Sequence, residues 1–226
     1  MVRLVLFDID GTLIHTHGAG IKAFERAFAM QFKIFNAIEG VKFSGRTDTG
    51  ILREIFARHP LEPSAENFSL FFDSYADWLA HILPDCKGDL LPGVWRLIYD
   101  LQSLPEPPIL GLLTGNIRLG AEIKLRHYNV WDFFVVGAFA DDHHDRNKIA
   151  AIAHQRGSRA AGRTLKGQEV LVIGDTPLDI ECGRAIGARV LAVATGGFTE
   201  ADLKLHQPDW TATNLDQVKA REICGR

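Results

Sequence analysis

The chain has 226 residues, of which 46% are hydrophobic and 23% are charged, and its formal net charge is -3. This composition is that of a globular protein with a large core, and the negative balance argues against electrostatically driven nucleic-acid binding. Because no apolar stretch approaches membrane-spanning length and the chain opens on a strand-like run instead of a leader, we expect a cytoplasmic protein without membrane or nucleic-acid partners.

The first predicted element is a strand within residues 1–7, where Val, Leu and Phe form an apolar run that Asp8 and Asp10 follow. Such a run is typical of a strand that is buried on both faces in a parallel sheet. Carboxylates at the carboxyl end of such a strand lie where open α/β sheets bind ligands. Gly11 then permits the chain to turn.

The next part of the chain has the apolar spacing of helices instead of strands. This change in pattern predicts a helical cap over residues 15–84, inserted into an α/β core formed by residues 1–14 and 85–226. Three helices are predicted. The first covers residues 21–35, the second begins after a cap at Thr47 or Asp48 and ends at His59, and the third covers residues 67–83.

Strands and helices alternate in the rest of the chain, which predicts a parallel sheet with right-handed crossovers. The fold class is therefore α/β, a three-layer Rossmann-like parallel sheet with an inserted α-helical cap. The further strands are predicted at residues 109–113, 135–136, 170–173, 190–193 and 210–212.

Polar side chains follow three of the predicted strands, and the carboxyl ends of parallel strands meet at one edge of a sheet. Carboxylates gathered there would repel one another without a cation, and clustered hard oxygen ligands favour Mg²⁺. A hydroxyl at Thr114 and the backbone N–H groups beside Gly115 are typical of an anion site. The three groups are Asp8 with Asp10, Thr114 with Asn116, and Asp175 with Asp179.

These motifs resemble those of the haloacid dehalogenase-like hydrolase superfamily over nearly the whole chain. The resemblance is carried by Asp8-Ile9-Asp10-Gly11-Thr12, by Leu113-Thr114-Gly115-Asn116, and by Gly174-Asp175-Thr176-Pro177-Leu178-Asp179. The helical insertion resembles the small helical cap of the phosphoglycolate phosphatase-like group within that superfamily.

The resemblance implies a phosphatase that acts on a small phosphorylated metabolite, as a monomer or homodimer. Asp8 would be the nucleophile and form an aspartyl-phosphate, while Asp10 would protonate the leaving oxygen and then activate water. An acid at position 10 indicates phosphoryl-oxygen chemistry, because the dehalogenases of the superfamily lack it and its phosphonate-cleaving members carry a small residue there.

The resemblance also implies a metal site and a phosphoryl site. Asp8 and Asp175 would hold Mg²⁺ through their side chains and Asp10 through its backbone carbonyl, and Asp179 would support the water shell of the metal. The transferring phosphoryl group would be bound by Thr114 and by the amides of Gly115 and Asn116.

One family motif has no clear match in this chain. The family places a Lys or Arg at the start of the helix before the strand at residues 170–173, usually as Lys-Pro, and this chain offers Arg146 and Lys148 instead. The helical phase favours Arg146, because Ile149 and Ile152 then follow three and six residues later. Lys148 remains the alternative.

The loop between the first two predicted helices contains Arg46, which we expect either to contact the leaving group or to pair with Asp48 or Glu54. Two other functions stay open: a phosphosugar mutase shares the motifs, and a phospho-accepting signalling domain shares the acidic cluster. A silent interaction protein has no support in the sequence, because no acidic motif position is lost.

Overall fold

The computed structural model describes residues 1–225; Arg226, the last residue of the predicted core, lies outside the described residues. A parallel sheet of six strands is central to the fold, in the order β5-β4-β1-β6-β7-β8, and β2 and β3 form a second, two-stranded sheet. The strands are β1 (Leu4–Phe7), β2 (Ile14–His15), β3 (Asp89–Leu90), β4 (Ile109–Leu113), β5 (Val136–Ala138), β6 (Val170–Gly174), β7 (Arg189–Val193) and β8 (Trp210–Ala212).

Helices connect these strands and form the insertion between β2 and β3. They are α1 (Ala19–Phe32), α2 (Asp48–Arg58), α3 (Ala65–Ile82), α4 (Val94–Gln102), α5 (Arg118–His127), α6 (Arg146–Ala160), α7 (Pro177–Ala185), α8 (Glu200–Lys204) and α9 (Ala220–Cys224).

The sheet is covered by helices on both faces. Val5 and Phe7 of β1 belong to an apolar cluster with α4, α5 and α9, whereas Leu4 and Leu6 belong to another with α6, α7 and α8. Successive side chains of a strand point to opposite faces, so a strand that is apolar throughout supplies both clusters. The predicted three-layer Rossmann-like sheet is confirmed.

The inserted helices α1, α2 and α3 pack around an aromatic cluster of their own. Phe24 and Phe71 have ring centroids 4.9 Å apart, and Phe28 and Phe71 have centroids 4.7 Å apart. Edge-to-face and tilted ring pairs of this kind add to the free energy of apolar burial. The domain boundaries at residues 15 and 84 stay a prediction.

The segment after the first motif forms a short strand. Ile14 pairs with Leu90 in the antiparallel β2–β3 sheet, and the Leu91 N–H donates to the Leu13 carbonyl at 2.9 Å. The two connections between the helical insertion and the sheet run side by side, and strand pairing satisfies their backbone groups.

Local contacts set the ends of the helices. Helix α7 begins at Pro177, because the Thr176 N–H and hydroxyl both donate to Oδ2 of Asp179 and Pro is favourable in the first turn. Helix α1 ends at Phe32 instead of residue 35, since Lys33 adopts a left-handed conformation with φ 58°.

Candidate active site

The three polar motifs meet at one edge of the sheet, as the sequence predicts. Strand β1 lies between β4 and β6, with Phe7 in register with Leu112 and Ile173. Asp8 therefore emerges between the ends of its two neighbours, which continue into Thr114 and Asp175. All three of these polar residues are buried.

Three buried carboxylates form an acidic cluster at this edge: one oxygen each from Asp8, Asp175 and Asp179 lies within 4.8 Å of the others. Burial raises the pKa of Asp8 to about 6, against the lowering effect of the Arg146 guanidinium. Burial and the neighbouring carboxylates also raise the pKa of Asp175. Arg146 supplies one positive charge against three carboxylates, and hard oxygen donors gathered this closely fit a divalent metal ion.

The side chain of Asp10 lies apart from this cluster. Its Oδ2 accepts hydrogen bonds from Nζ of Lys124 at 2.6 Å and from Nδ2 of Asn116 at 2.8 Å, and the side chain is 42% exposed. The carboxyl group of Asp10 therefore lines a cavity beside the acidic cluster.

Asp179 is held by its neighbours on both oxygens. Its Oδ2 accepts from the Thr176 backbone N–H at 3.0 Å and from the Thr176 hydroxyl at 2.7 Å, and its Oδ1 pairs with Nη2 of Arg146 at 2.5 Å. These contacts orient Asp179 as a support for the cluster.

Arg146 is the first residue of α6 and reaches the acidic cluster. Its Nη2 lies 3.0 Å from Oδ1 of Asp8, and its Nη1 donates to the Gly45 carbonyl at 3.1 Å. Burial lowers the pKa of Arg146, but the charges of Asp179 and Asp8 raise it well above its usual value. Within residues 1–225 the buried Nε of Arg146 has no hydrogen-bond partner, so a donor remains available for an anion.

Lys148 lies on the exposed side of the same helix. The structure thus brings Arg146 and not Lys148 to the acidic cluster, in agreement with the helical phase.

The loop after β4 forms the third part of the site. The Thr114 hydroxyl accepts from the Asn116 backbone N–H at 3.3 Å and from its Nδ2 at 2.9 Å. A Cβ at Gly115 would lie 2.1 Å from the Arg46 carbonyl oxygen. Only glycine therefore permits this approach of the loop between α1 and α2 to the catalytic edge.

The side chain of Arg46 points to Glu54, with Nη1 2.5 Å from Oε2, and the same Nη1 donates to the Lys42 carbonyl at 3.2 Å. The loop of Arg46 faces the catalytic edge, as expected, but its charge is paired with Glu54, one of the two partners that the sequence suggested. Its predicted contact with substrate stays a prediction.

Sequence reasoning missed two buried residues, the first of which is Lys124. Its Nζ donates to both Asp10 and Oδ1 of Asn116 at 2.6 Å. Lys124 lies on the same face of α5 as the buried Ala121 and Leu125, and a charged residue on an apolar helix face is a signal that could have found it.

The second missed residue is Asp48, which joins the inserted helices to the loop after β4. Its N–H donates to the Gly115 carbonyl at 2.7 Å, and its Oδ2 accepts from the Ile117 N–H at 2.8 Å. Burial raises the pKa of Asp48 to about 7, although Lys124 lowers it. The sequence identified Asp48 as a candidate cap and as a candidate partner of Arg46, but Thr47 is the cap and Glu54 is the partner.

These residues surround a cavity of about 400 Å³ between the strand ends and the inserted helices. Its volume is within the range of small-molecule sites.

Among the described residues, none of the helices is both long and apolar enough to cross a membrane.

Buried carboxylates, a buried arginine and a polar loop at the carboxyl edge of an α/β sheet have the arrangement of an enzyme active site. A model of the haloacid dehalogenase-like hydrolase family matches residues 5–193. The chain belongs to this family, which confirms the resemblance seen in its motifs and the expectation of an enzyme.

Named relatives agree with the predicted reaction. The chain is 26% identical to the probable phosphatase IndB of Dickeya dadantii (strain 3937) over 96% of this chain and 92% of that protein. It is 25% identical to the validoxylamine A 7'-phosphate phosphatase of Streptomyces hygroscopicus subsp. limoneus, over 97% of each.

A solved structure described as a predicted phosphoglycolate phosphatase from Haemophilus somnus 129PT is similar with a TM-score of 0.69, at 16% identity and over 95% of each chain. At this identity the likeness shows a shared fold, including the helical insertion.

Proposed function

We propose that this protein is a Mg²⁺-dependent phosphatase that hydrolyses a small phosphomonoester through an aspartyl-phosphate on Asp8. The observation that carries the proposal is the position of Asp8. Its buried carboxylate belongs to the acidic cluster, contacts Arg146 and lines a cavity that Thr114 also lines. A nucleophile, a cation and phosphoryl-binding donors are what phosphoryl transfer requires.

In the first step, an oxygen of Asp8 attacks phosphorus and the bond to the ester oxygen breaks. The carboxyl group of Asp10 gives its proton to the departing oxygen. In the second step, the Asp10 carboxylate takes a proton from water, which attacks the phosphorus. Inorganic phosphate leaves and the Asp8 carboxylate is restored.

The remaining residues bind and orient the phosphoryl group. The free Nε of Arg146 and the hydroxyl of Thr114, with the amides of Gly115 and Asn116, would donate to its oxygens. The Nε of Arg146 is free for this contact, whereas the Asn116 N–H would exchange its 3.3 Å hydrogen bond to the Thr114 hydroxyl for a phosphoryl oxygen.

The side chains of Asp8 and Asp175 and the carbonyl of Asp10 would hold Mg²⁺, and Asp179 would support its water shell. Bound Mg²⁺ supplies charge neutralisation for the acidic cluster and the phosphoryl oxygens. The three buried carboxylates support this assignment because burial and mutual repulsion raise the pKa of Asp8 and Asp175.

The first test is phosphate release from a panel of phosphomonoesters by the purified chain with Mg²⁺. Asp8→Asn, which removes the nucleophilic charge with little change in shape, should reduce kcat by several orders of magnitude. Asp132→Asn makes the same substitution at a side chain that is 84% exposed and should leave the rate unchanged.

Retention of more than about a tenth of the rate by Asp8→Asn, or full activity in excess chelator, would contradict the proposal. Formation of an isomerised sugar phosphate in place of free phosphate would indicate a phosphosugar mutase. A stable phosphoprotein without turnover would indicate a phospho-accepting signalling domain. A cytoplasmic location and a monomeric or homodimeric state stay predictions.

A further inference from the structure

The cavity has two ends of different chemistry. At one end lie Asp8, Thr114 and Arg146, which would bind the phosphoryl group. The rest, here called the leaving-group compartment, is walled by the inserted segment. The inserted segment contributes five apolar or aromatic side chains to it: Ile21, Phe24, Phe43, Ile51 and Tyr75. The polar side chains of His15, Thr16, His17 and Ser44 line it as well. The ring centroids of Phe24 lie 5.4 Å from Phe43 and 4.9 Å from Tyr75, so the rings form one continuous wall.

Every Lys or Arg side chain that lines the cavity, among the residues the structure describes, is already paired with an acid. Arg46 lies 2.5 Å from Glu54, and Lys124 lies 2.6 Å from Asp10. Arg146 belongs to the phosphoryl end, where it pairs with Asp8 and Asp179. A hydrogen bond from Arg46 lowers the pKa of Glu54, which keeps that pair ionised.

Two carboxyl groups also line the cavity, and the cation beside them is already engaged. Asp10 and Asp48 both contribute to its wall, and the charge of Lys124 is shared between them. A second anionic group on the substrate would lose its hydration here and meet carboxylates in place of a free cation, which is unfavourable.

We infer that the leaving group of the substrate is an uncharged alcohol with an apolar face, and that the leaving-group compartment excludes a second phosphate or a carboxylate. This inference rests on the proposed phosphatase function. It separates this chain from enzymes whose substrates carry a second anionic group, phosphoglycolate among them.

The test compares two matched pairs of substrates with the full chain and Mg²⁺ at about pH 8, above the pH range in which an ordinary imidazole changes its charge. The first pair is 2-hydroxyethyl phosphate and phosphoglycolate, which differ by a hydroxymethyl group in place of a carboxylate. The second is phenyl phosphate and 4-carboxyphenyl phosphate. In each pair kcat/KM should be at least about tenfold higher for the uncharged leaving group.

Equal or better hydrolysis of the carboxylated member of each pair would overturn the inference and leave the phosphatase function intact. Absence of hydrolysis of all four esters, and of every ester in the wider panel, would instead overturn the proposed function on which it rests.

A variant tests the physical cause. Glu54→Gln frees the charge of Arg46, so kcat/KM for phosphoglycolate relative to 2-hydroxyethyl phosphate should rise at least about threefold. Glu122→Gln is the matched control, because Glu122 pairs with Arg126 on the surface of α5 and the same charge change there should not alter the ratio. An unchanged ratio in Glu54→Gln, or an equal rise in Glu122→Gln, would show that paired cations do not set this preference.

Discussion

Arg146→Met removes the cation that two buried carboxylates share, and it should therefore affect both stability and rate. Nη2 of Arg146 lies 3.0 Å from Asp8 and 2.5 Å from Asp179, and the three side chains are 8%, 7% and 1% exposed. Removal of one partner from a buried ion pair costs about 3–5 kcal/mol. The free energy of unfolding in chelator should fall by that order at neutral pH.

The rate effect has a separate cause. Arg146 would donate to phosphoryl oxygens whose charge develops in the transition state, and loss of one such donor lowers kcat by about 10²–10³. Initial rates of phosphate release measure this effect, and urea unfolding in chelator measures the loss of stability. Met keeps the apolar stem of the side chain, so the change in both quantities reports the guanidinium.

Lys148→Met is the matched control, two residues away on the exposed side of α6. Surface substitutions of this kind change stability by less than about 0.5 kcal/mol, and the rate should stay within about twofold. If Lys148→Met lost more activity than Arg146→Met, the catalytic cation would be Lys148, and the geometric assignment would be wrong.

Two further predictions concern the residues that sequence reasoning missed. Lys124→Met should lower kcat/KM about 10²-fold for alkyl phosphates, because Lys124 orients Asp10 as the acid for a poor leaving group. The loss of kcat/KM should be far smaller for p-nitrophenyl phosphate, because its leaving group departs without a proton. Equal losses of kcat/KM on the two kinds of ester would argue against action through Asp10. For Asp48, burial raises the folded-state pKa to about 7, so the folded chain holds a proton that the unfolded chain releases near pH 4. The contribution of protonated Asp48 to the free energy of unfolding is complete below about pH 4 and is lost as pH rises through about 7. Asp48→Asn keeps an acceptor for the Ile117 N–H. As pH rises from about 4 to about 7, its free energy of unfolding should therefore come to exceed that of the wild type by a few kcal/mol. Melting temperatures in chelator that ran parallel at all pH values would contradict this.

Local signals in the sequence determined the architecture and the acidic cluster. An apolar run that ends in Asp8 predicts a central strand with a carboxylate at its carboxyl end, and the same pattern recurs before Thr114 and Asp175. Because parallel strands end at one edge, local patterns alone were enough to bring these side chains together. The start of α7 is also set locally, since the Thr176 N–H and hydroxyl both donate to the Asp179 carboxylate.

Only the tertiary structure decided which charges face one another. Arg146 and Lys148 are two residues apart and chemically alike in sequence, but two residues along a helix turn a side chain by more than half a circle. One therefore reaches Asp8 and the other lies in solvent. Lys124 and Asp48 come from helices distant in sequence and meet near Asp10 only because the inserted helices dock on the loop after β4. No local periodicity encodes that docking, and the charge balance of the leaving-group compartment depends on it.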